Sequence, residues 1–303
     1  PRIDVGIDGL DRMIQGGIPR RHLIVAIGSA GTGKTTFGLQ FLHHGLENDE
    51  NCVFITLEQS HSAIMDTAAD RGWGFDEYQA RDQLAIVDLD PVEMANSLDN
   101  IRGELPGLIE DFDADRLVLD SVSLLEMMYD NPAKRRTEVF DFTRSLKAAG
   151  VTTMLTSEAS EDNPYASRHG IIEYLTDAVF VLQYVRSETR ETRLAVEIQK
   201  IRNANHSRET KPYEITMDGI SVYQQANIFC PTARPVDTSF LASTREPPLM
   251  TLLVPFDGSA LSTAALERAT EFAEFTGEDV LVLTVVPDES EYALSRDWLG
   301  PDD

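Results

Sequence analysis

The chain has two cysteines, Cys52 and Cys230, in 303 residues. Two thiols without C-x-x-C spacing build neither a disulfide framework nor a structural zinc or redox centre, and both read as buried thiols. No apolar run approaches the roughly 20 residues needed to span a bilayer, and the first residues lack the basic-then-apolar layout of a signal peptide. A soluble cytoplasmic chain with no membrane partner is expected. Lysine is scarce, with Lys34, Lys134, Lys147, Lys200 and Lys211 the five in the chain. The 51 acidic residues outweigh 26 basic ones and leave a formal charge of −25. Acidic surfaces poor in lysine look like those of halophilic, salt-accumulating organisms, where ionic strength screens self-repulsion. The same negative field opposes nonspecific binding to nucleic acid.

What is present is a phosphate-binding pattern. Gly28-Ser29-Ala30-Gly31-Thr32-Gly33-Lys34-Thr35 spells G-x4-G-K-[ST], between the β-branched run Leu23–Ile27 and a helical pattern that opens with Thr36-Phe37. Glycines let successive N–H groups and the positive end of the following helix face a phosphate chain. Lys34 then reaches the β and γ phosphates, and the Thr35 hydroxyl serves Mg²⁺. A nucleoside triphosphate and Mg²⁺ are the expected ligands; the bland alternative is a glycine-rich turn.

Strand-like runs recur at residues 52–57, 84–87, 117–119 and 151–156, with helical patterns at 62–69, 97–110 and 132–149, the last closed by Gly150. Such alternation predicts an α/β fold with a mostly parallel central sheet, whose ligands sit at the carboxyl ends of the strands. Residues 179–185 and 194–198 read as two adjacent strands extending that sheet in antiparallel fashion. The length suits one large domain plus a smaller unit. Expected boundaries are a nucleotide-binding domain over 1–225, a proline-punctuated linker over 226–247 and a small βαβ unit over 248–303, with its helix at 261–275. A lone βαβ unit is too small for a good core, so it must pack on something or continue in a longer protein.

Triphosphate hydrolysis needs a metal site, a residue that orients water, and positive charge at the γ-phosphate. Asp120, ending the apolar run Leu117–Leu119, has the Walker B form and would join Thr35 at the metal; otherwise it caps the next helix. Glu58 ends the strand after the P-loop helix and is the water-orienting candidate; otherwise it is a surface strand-end charge. Lys200 and Arg202 alternate onto one side of their strand. They supply γ-phosphate charge or form a solvated basic edge. Lys134-Arg135-Arg136 opens a helix and reads as a solvated face.

These motifs, with Gly6-Ile7-Asp8-Gly9-Leu10-Asp11, Gly16-Gly17-Ile18-Pro19, Leu57-Glu58-Gln59-Ser60, Leu155-Thr156-Ser157-Glu158 and Gln199-Lys200-Ile201-Arg202 through His206, resemble a KaiC-type ATPase of the RecA superfamily over roughly residues 3–225. The resemblance implies a RecA-like P-loop core, with Lys200 and Arg202 acting in trans on the neighbouring nucleotide in a usually hexameric ring. It further implies a nucleotide-dependent regulator that signals to a protein partner the sequence does not name. Only Glu58 of Glu58-Gln59 can position water, and Glu173-Tyr174 stands where the clock protein's autokinase domain carries a Ser-Thr acceptor pair. Autophosphorylation of the clock kind is therefore not expected. Leu253-Val254-Pro255-Phe256-Asp257-Gly258-Ser259 resembles the start of a universal stress protein domain, without its later glycine-rich segment. Two other readings remain open: a RadA- or RadB-like recombinase, and a nonhydrolysing nucleotide sensor. Against the recombinase, residues 157–170 carry Glu158, Glu161 and Asp162 beside Arg168 and His169, and no helix-hairpin-helix precedes Gly6.

Overall fold

A computed structural model describes residues 1–89, 107, 109–186, 192–226, 251–256, 266, 269 and 279–284. Contacts divide the chain into two units, Pro1–Thr232 and Ala233–Asp303. The first opens with β1 (Arg2–Ile3), α1 (Leu10–Ile14) and β2 (Ile18–Pro19), then β3 (Leu23–Gly28) and α2 (Lys34–Glu47). There follow β4 (Cys52–Thr56), α3 (His61–Ala69), α4 (Phe75–Ala80), β5 (Leu84–Asp88), β6 (Arg116–Asp120) and α5 (Val122–Met127). The unit closes through α6 (Pro132–Ala149), β7 (Thr152–Glu158), α7 (Ile172–Leu175), β8 (Ala178–Arg186), β9 (Thr192–Ile201), β10 (Lys211–Thr216) and β11 (Gly219–Val222).

Nine strands form one sheet in the order β11-β10-β9-β8-β3-β7-β6-β4-β5. From β8 to β5 all pairings are parallel, and from β8 out to β11 all are antiparallel. The fold is therefore mixed α/β with a largely parallel centre, and β3 lies in the middle of it. Its side chains alternate between the two faces, as the two-residue period of a strand requires. Ile24 and Ala26 join Phe37, Phe41 and Leu42 of α2 on one face; Leu23, Val25 and Ile27 join Val139, Phe142 and Leu146 of α6 on the other. A run buried on both faces must be apolar throughout, which is why Leu23–Ile27 reads as it does.

The helix over 132–149 is fixed at both ends. The Asn131 side chain accepts from the amides of Ala133 (2.9 Å) and Lys134 (3.1 Å), Pro132 takes the first turn, and Gly150 closes it at φ 75°. Its basic triplet is the solvated face expected at Lys134 and Arg136 but not at Arg135. Arg135 is half-buried and gives Nε to the Glu126 carbonyl (2.9 Å) and Nη2 to the Tyr129 carbonyl (2.6 Å), because α6 packs beside α5. Lys134 and Arg136 are exposed.

At the sheet rim where β6 begins, Arg116 is only 2% exposed, its Nε 2.5 Å from Glu50 Oε2 and its Nη1 3.0 Å from the carbonyls of Asp4 and Phe41. Arg20 meets the other Glu50 oxygen at 2.5 Å. Every donor direction of a buried cation must be answered this way if its desolvation is to be offset.

In the second unit β12 (Thr251–Phe256) and β13 (Asp279–Thr284) pair in parallel, and residues 266 and 269 are helical. Nearly all of the linker expected over 226–247, most of the helices expected over 97–110 and 261–275, and Cys230 lie outside the described residues; residues 107, 109 and 110 are helical as expected. Cys52 is a free, buried thiol. Among the described residues no helix is long and apolar enough to cross a membrane.

Candidate nucleotide site

The loop between β3 and α2 turns at the carboxyl end of the central strand. Gly28 pairs with Glu158 of β7 on one side and Leu182 of β8 on the other. A Cβ at Gly28 would come within 2.7 Å of the Leu182 carbonyl, and one at Gly31, where φ is +78°, within 2.6 Å of the Tyr184 hydroxyl. Only glycine fits these two positions. The turn is pinned from inside, with Thr32 giving its hydroxyl to the Ser29 carbonyl (2.8 Å) and Tyr213 of β10 giving its own to the Thr32 carbonyl (2.5 Å). Ser29, Ala30 and Gly31 remain exposed, so the cradle is open to solvent. Thr36 is buried in the first turn of α2.

Lys34 rests its Nζ on the Ser29 carbonyl at 3.1 Å. Burial lowers its pKa, opposed by the negative charges of Asp120, Glu58 and Glu158, which all face it. Lys34 thus stands among three carboxylates at the start of α2, the end of a helix whose free amides favour an anion such as a phosphate.

Asp120 ends β6 and is 1% exposed. It does not cap α5. Its Oδ2 accepts from the Thr35 hydroxyl at 2.7 Å and its Oδ1 from the Thr156 hydroxyl. A carboxylate and a hydroxyl in contact at the mouth of the loop are hard oxygen donors of the kind Mg²⁺ takes, so the residues fit that ion. Glu58 lies just past β4, on the same rim, since Thr56 pairs with Asp120 and the Leu57 amide bonds to the Asp120 carbonyl at 2.7 Å. Its carboxylate is exposed and accepts from the Ser121 hydroxyl. The chain behind it folds back, the Thr56 hydroxyl bonding both the Gln59 amide (3.0 Å) and carbonyl (2.8 Å).

Lys200 and Arg202 stand at the other end of the sheet. β9 runs antiparallel, so its last residues pair with the first of β8, Lys200 opposite Val179 and Ile201 opposite Ala178. Lys200 Nζ donates to the Glu173 carbonyl at 2.5 Å; Arg202 gives Nη1 to Asp177 Oδ1 (3.2 Å) and Nη2 to the Tyr174 carbonyl (3.4 Å). The two cations do share one patch, but it is the rim opposite their own P-loop. Asp177, which also takes Lys147 Nζ (2.9 Å) and the Leu23 amide (3.1 Å), has a lowered pKa because those partners outweigh its burial.

The structure adds residues that spacing alone did not single out. Glu158 ends β7 facing Lys34 and pairs with Arg168 at 3.1 Å. The adjoining ends of β9 and β10 border a cavity of about 780 Å³ whose lining includes Leu194, Pro212, Tyr213, Ile215 and Tyr223 together with Arg193 and Glu214. Ile215 Cδ1 lies 2.5 Å from where a Cβ on Gly33 would fall, which puts this cavity beside the loop. These strands arrive from far along the chain, and a proline inside Lys211–Thr216 hides the signal.

The family model for the KaiC ATPase matches residues 3–227, and the model for the universal stress protein family matches residues 249–301. The chain is 35% identical over 234 residues to the circadian clock oscillator protein KaiC of Prochlorococcus marinus (strain MIT 9313), covering 73% of this chain and 46% of that protein. It is 32% identical over 224 residues to the protein of the same name from Synechococcus elongatus, covering 72% of this chain and 43% of the other. Among solved structures, a KaiC-like protein from the hyperthermophilic archaeon Pyrococcus horikoshii superposes with a TM-score of 0.66 at 34% identity, covering 74% of this chain and 99% of that one. The chain thus spans about half the length of the curated relatives it matches.

Proposed function

Because this chain belongs to the KaiC ATPase family, we propose that it binds ATP at Gly28–Thr36, hydrolyses it, and passes its nucleotide state to a protein partner from within a ring, usually hexameric, of like subunits. One observation carries this reading. Lys34, Thr35, Asp120 and Glu58 converge on one rim of the sheet, while Lys200 and Arg202 share the opposite rim. Cations so placed cannot serve their own loop, and they suit a neighbour's.

In the proposed reaction a water oxygen attacks the γ-phosphorus as the bond from that phosphorus to the β-γ bridging oxygen breaks, giving ADP and phosphate. Glu58, steadied by Ser121, orients the water and takes up its proton. Thr35 and Asp120 would hold Mg²⁺, which when bound supplies positive charge to the β and γ oxygens. Lys200 and Arg202 of the adjoining subunit complete the charge on the γ side. The cavity at Tyr213 and Ile215 would take the base. We assign 1–225 to the ATPase, 226–247 to a linker and 248–303 to a docking segment. Phosphate release from purified protein with Mg²⁺ and ATP at high salt tests the assignment: turnover abolished by Glu58→Gln and by Arg202→Ala is expected. ATP recovered intact from the unaltered protein would instead mark a nonhydrolysing sensor.

The recombinase reading has less behind it. The one arginine in the segment 157–170 is Arg168, and it is already paired with Glu158. Single-stranded DNA affinity with a steep salt dependence would revive it.

A further inference from the structure

Helix α5 carries a charged group into an apolar layer. Val122, Leu125 and Glu126 are buried on it, Glu126 with 0% exposure, and neither carboxylate oxygen of Glu126 has a hydrogen-bond partner. The charged groups that face it come from each element packed around it. They are Arg135 of α6, Arg168 with its neighbour His169 in the segment after β7, and Glu173 of α7. All of these are engaged elsewhere. Arg135 is tied to the carbonyls of Glu126 and Tyr129 and lies 3.3 Å from His169 Nδ1. The Glu173 carboxylate takes both the amide and, at 2.8 Å, the hydroxyl of Ser167. Arg168 holds Glu158. Burial, reinforced by the charge of Glu173, pushes the Glu126 carboxyl up to about 7, against the pull of Arg135 and Arg168.

The two arginines differ in how freely they can answer an ionised Glu126. Arg135 fastens two main-chain carbonyls, whereas Arg168 and Glu158 form a pair in which both side chains are about 40% exposed (42% and 43%). Such a pair is worth little, whereas a buried, unpaired carboxylate is costly. We propose that Glu126 is a proton-operated positioning residue for the nucleotide site: neutral, it leaves Arg168 on Glu158; ionised, it draws Arg168 inward and leaves Glu158 uncompensated beside Lys34. The inference rests on the ATP-binding reading above and adds its regulation. Glu158 without its arginine repels polyphosphate and offsets Lys34, so ATP binds more weakly as the pH rises.

Two measurements on the full chain test it. The first is the dissociation constant of a fluorescent ATP analogue between about pH 6 and about pH 8.5, a range that brackets the transition. The unaltered protein should lose about fivefold or more in affinity across it, a typical coupling between linked sites. Glu126→Gln, which keeps the shape and cannot ionise, should stay at the tight, low-pH value; Arg168→Gln should be flat at the weak value. The second needs no nucleotide: a carboxyl proton lost near neutrality, seen by isotope-edited infrared difference spectra and missing in Glu126→Gln. A Glu126→Gln protein that keeps the full pH slope overturns the proposal while leaving ATP binding intact. Failure to bind the analogue at any pH overturns the functional reading and this inference with it.

Discussion

Mixing two inactive proteins should restore activity if the cations of β9 work across a subunit boundary. Along the sheet Lys200 is level with Val179, three residues below Leu182, the partner of Gly28; that is roughly 10 Å at the rise of a strand. Its side chain points to α7, away from the loop. Glu58→Gln spares the loop and removes the carboxylate proposed to orient water; Arg202→Ala spares both and removes the cation. Losing an arginine of this type costs about a thousandfold or more in turnover, so each protein alone is nearly silent. In a ring a competent site needs Glu58 from one subunit and Arg202 from the next. With equal, random mixing the probability is one half times one half, so about a quarter of the sites revive whatever the ring size. Phosphate release at saturating MgATP, with exchange of subunits verified by native mass spectrometry, reads the outcome. A fully exchanged mixture no faster than the mean of its parents would refute the division of labour between rims.

Other outcomes follow from particular contacts. Glu50→Gln strips the partner from buried Arg116 and should destabilise the first unit by about 3–5 kcal/mol in urea unfolding; adding Arg116→Met should recover most of it. Gly31→Ala combines a positive φ with a clash on the Tyr184 hydroxyl, and nucleotide affinity should fall at least tenfold by calorimetry while the far-ultraviolet spectrum stays unchanged. Lys34, its pKa lowered by burial in the free protein, should take up a proton when polyphosphate binds in alkaline solution; the observed binding enthalpy should then vary with the ionisation enthalpy of the buffer. For Glu126 the native carboxyl holds its proton more tightly than the unfolded one. Stability should therefore fall as pH rises from about 4.5 to about 7, by roughly 3 kcal/mol, and Glu126→Gln should abolish that decline.

The central strands were legible because a run buried on both faces leaves little choice but β-branched and apolar residues, as in Leu23–Ile27 and Cys52–Leu57. The P-loop, Asp120 and Glu58 could be read because local spacing fixes them at strand ends, and parallel strands share one rim. β10 escaped notice. Its Lys211, Pro212 and Glu214 break the pattern, yet Pro212 sits near the start of the strand, where a missing donor is tolerated. Glu158 stood in a quoted motif, Leu155-Thr156-Ser157-Glu158, but its pairing with Arg168 was not legible, since it depends on how the segment after β7 returns to the rim. Glu126 did leave a trace: it falls four residues after Val122, on the buried side of a short apolar helix, where a carboxylate has no solvent to face.

At the middle of α2, the helix that follows the phosphate-binding loop, Gln40 holds the two ends of the first unit together. Gln40 bonds the Gly6 carbonyl (3.2 Å) with its amide group and the Ile220 amide (2.7 Å) with its oxygen, the Val222 amide reaches the Asp8 carbonyl (2.9 Å), and the Gln224 side chain reaches the carbonyl of Gly9 (2.8 Å). Entry and exit of the first unit therefore lie side by side. A fold stitched shut like this can be lengthened past its exit, strung in tandem, or rejoined end to end and opened at a surface turn, with no strand of the sheet obliged to move.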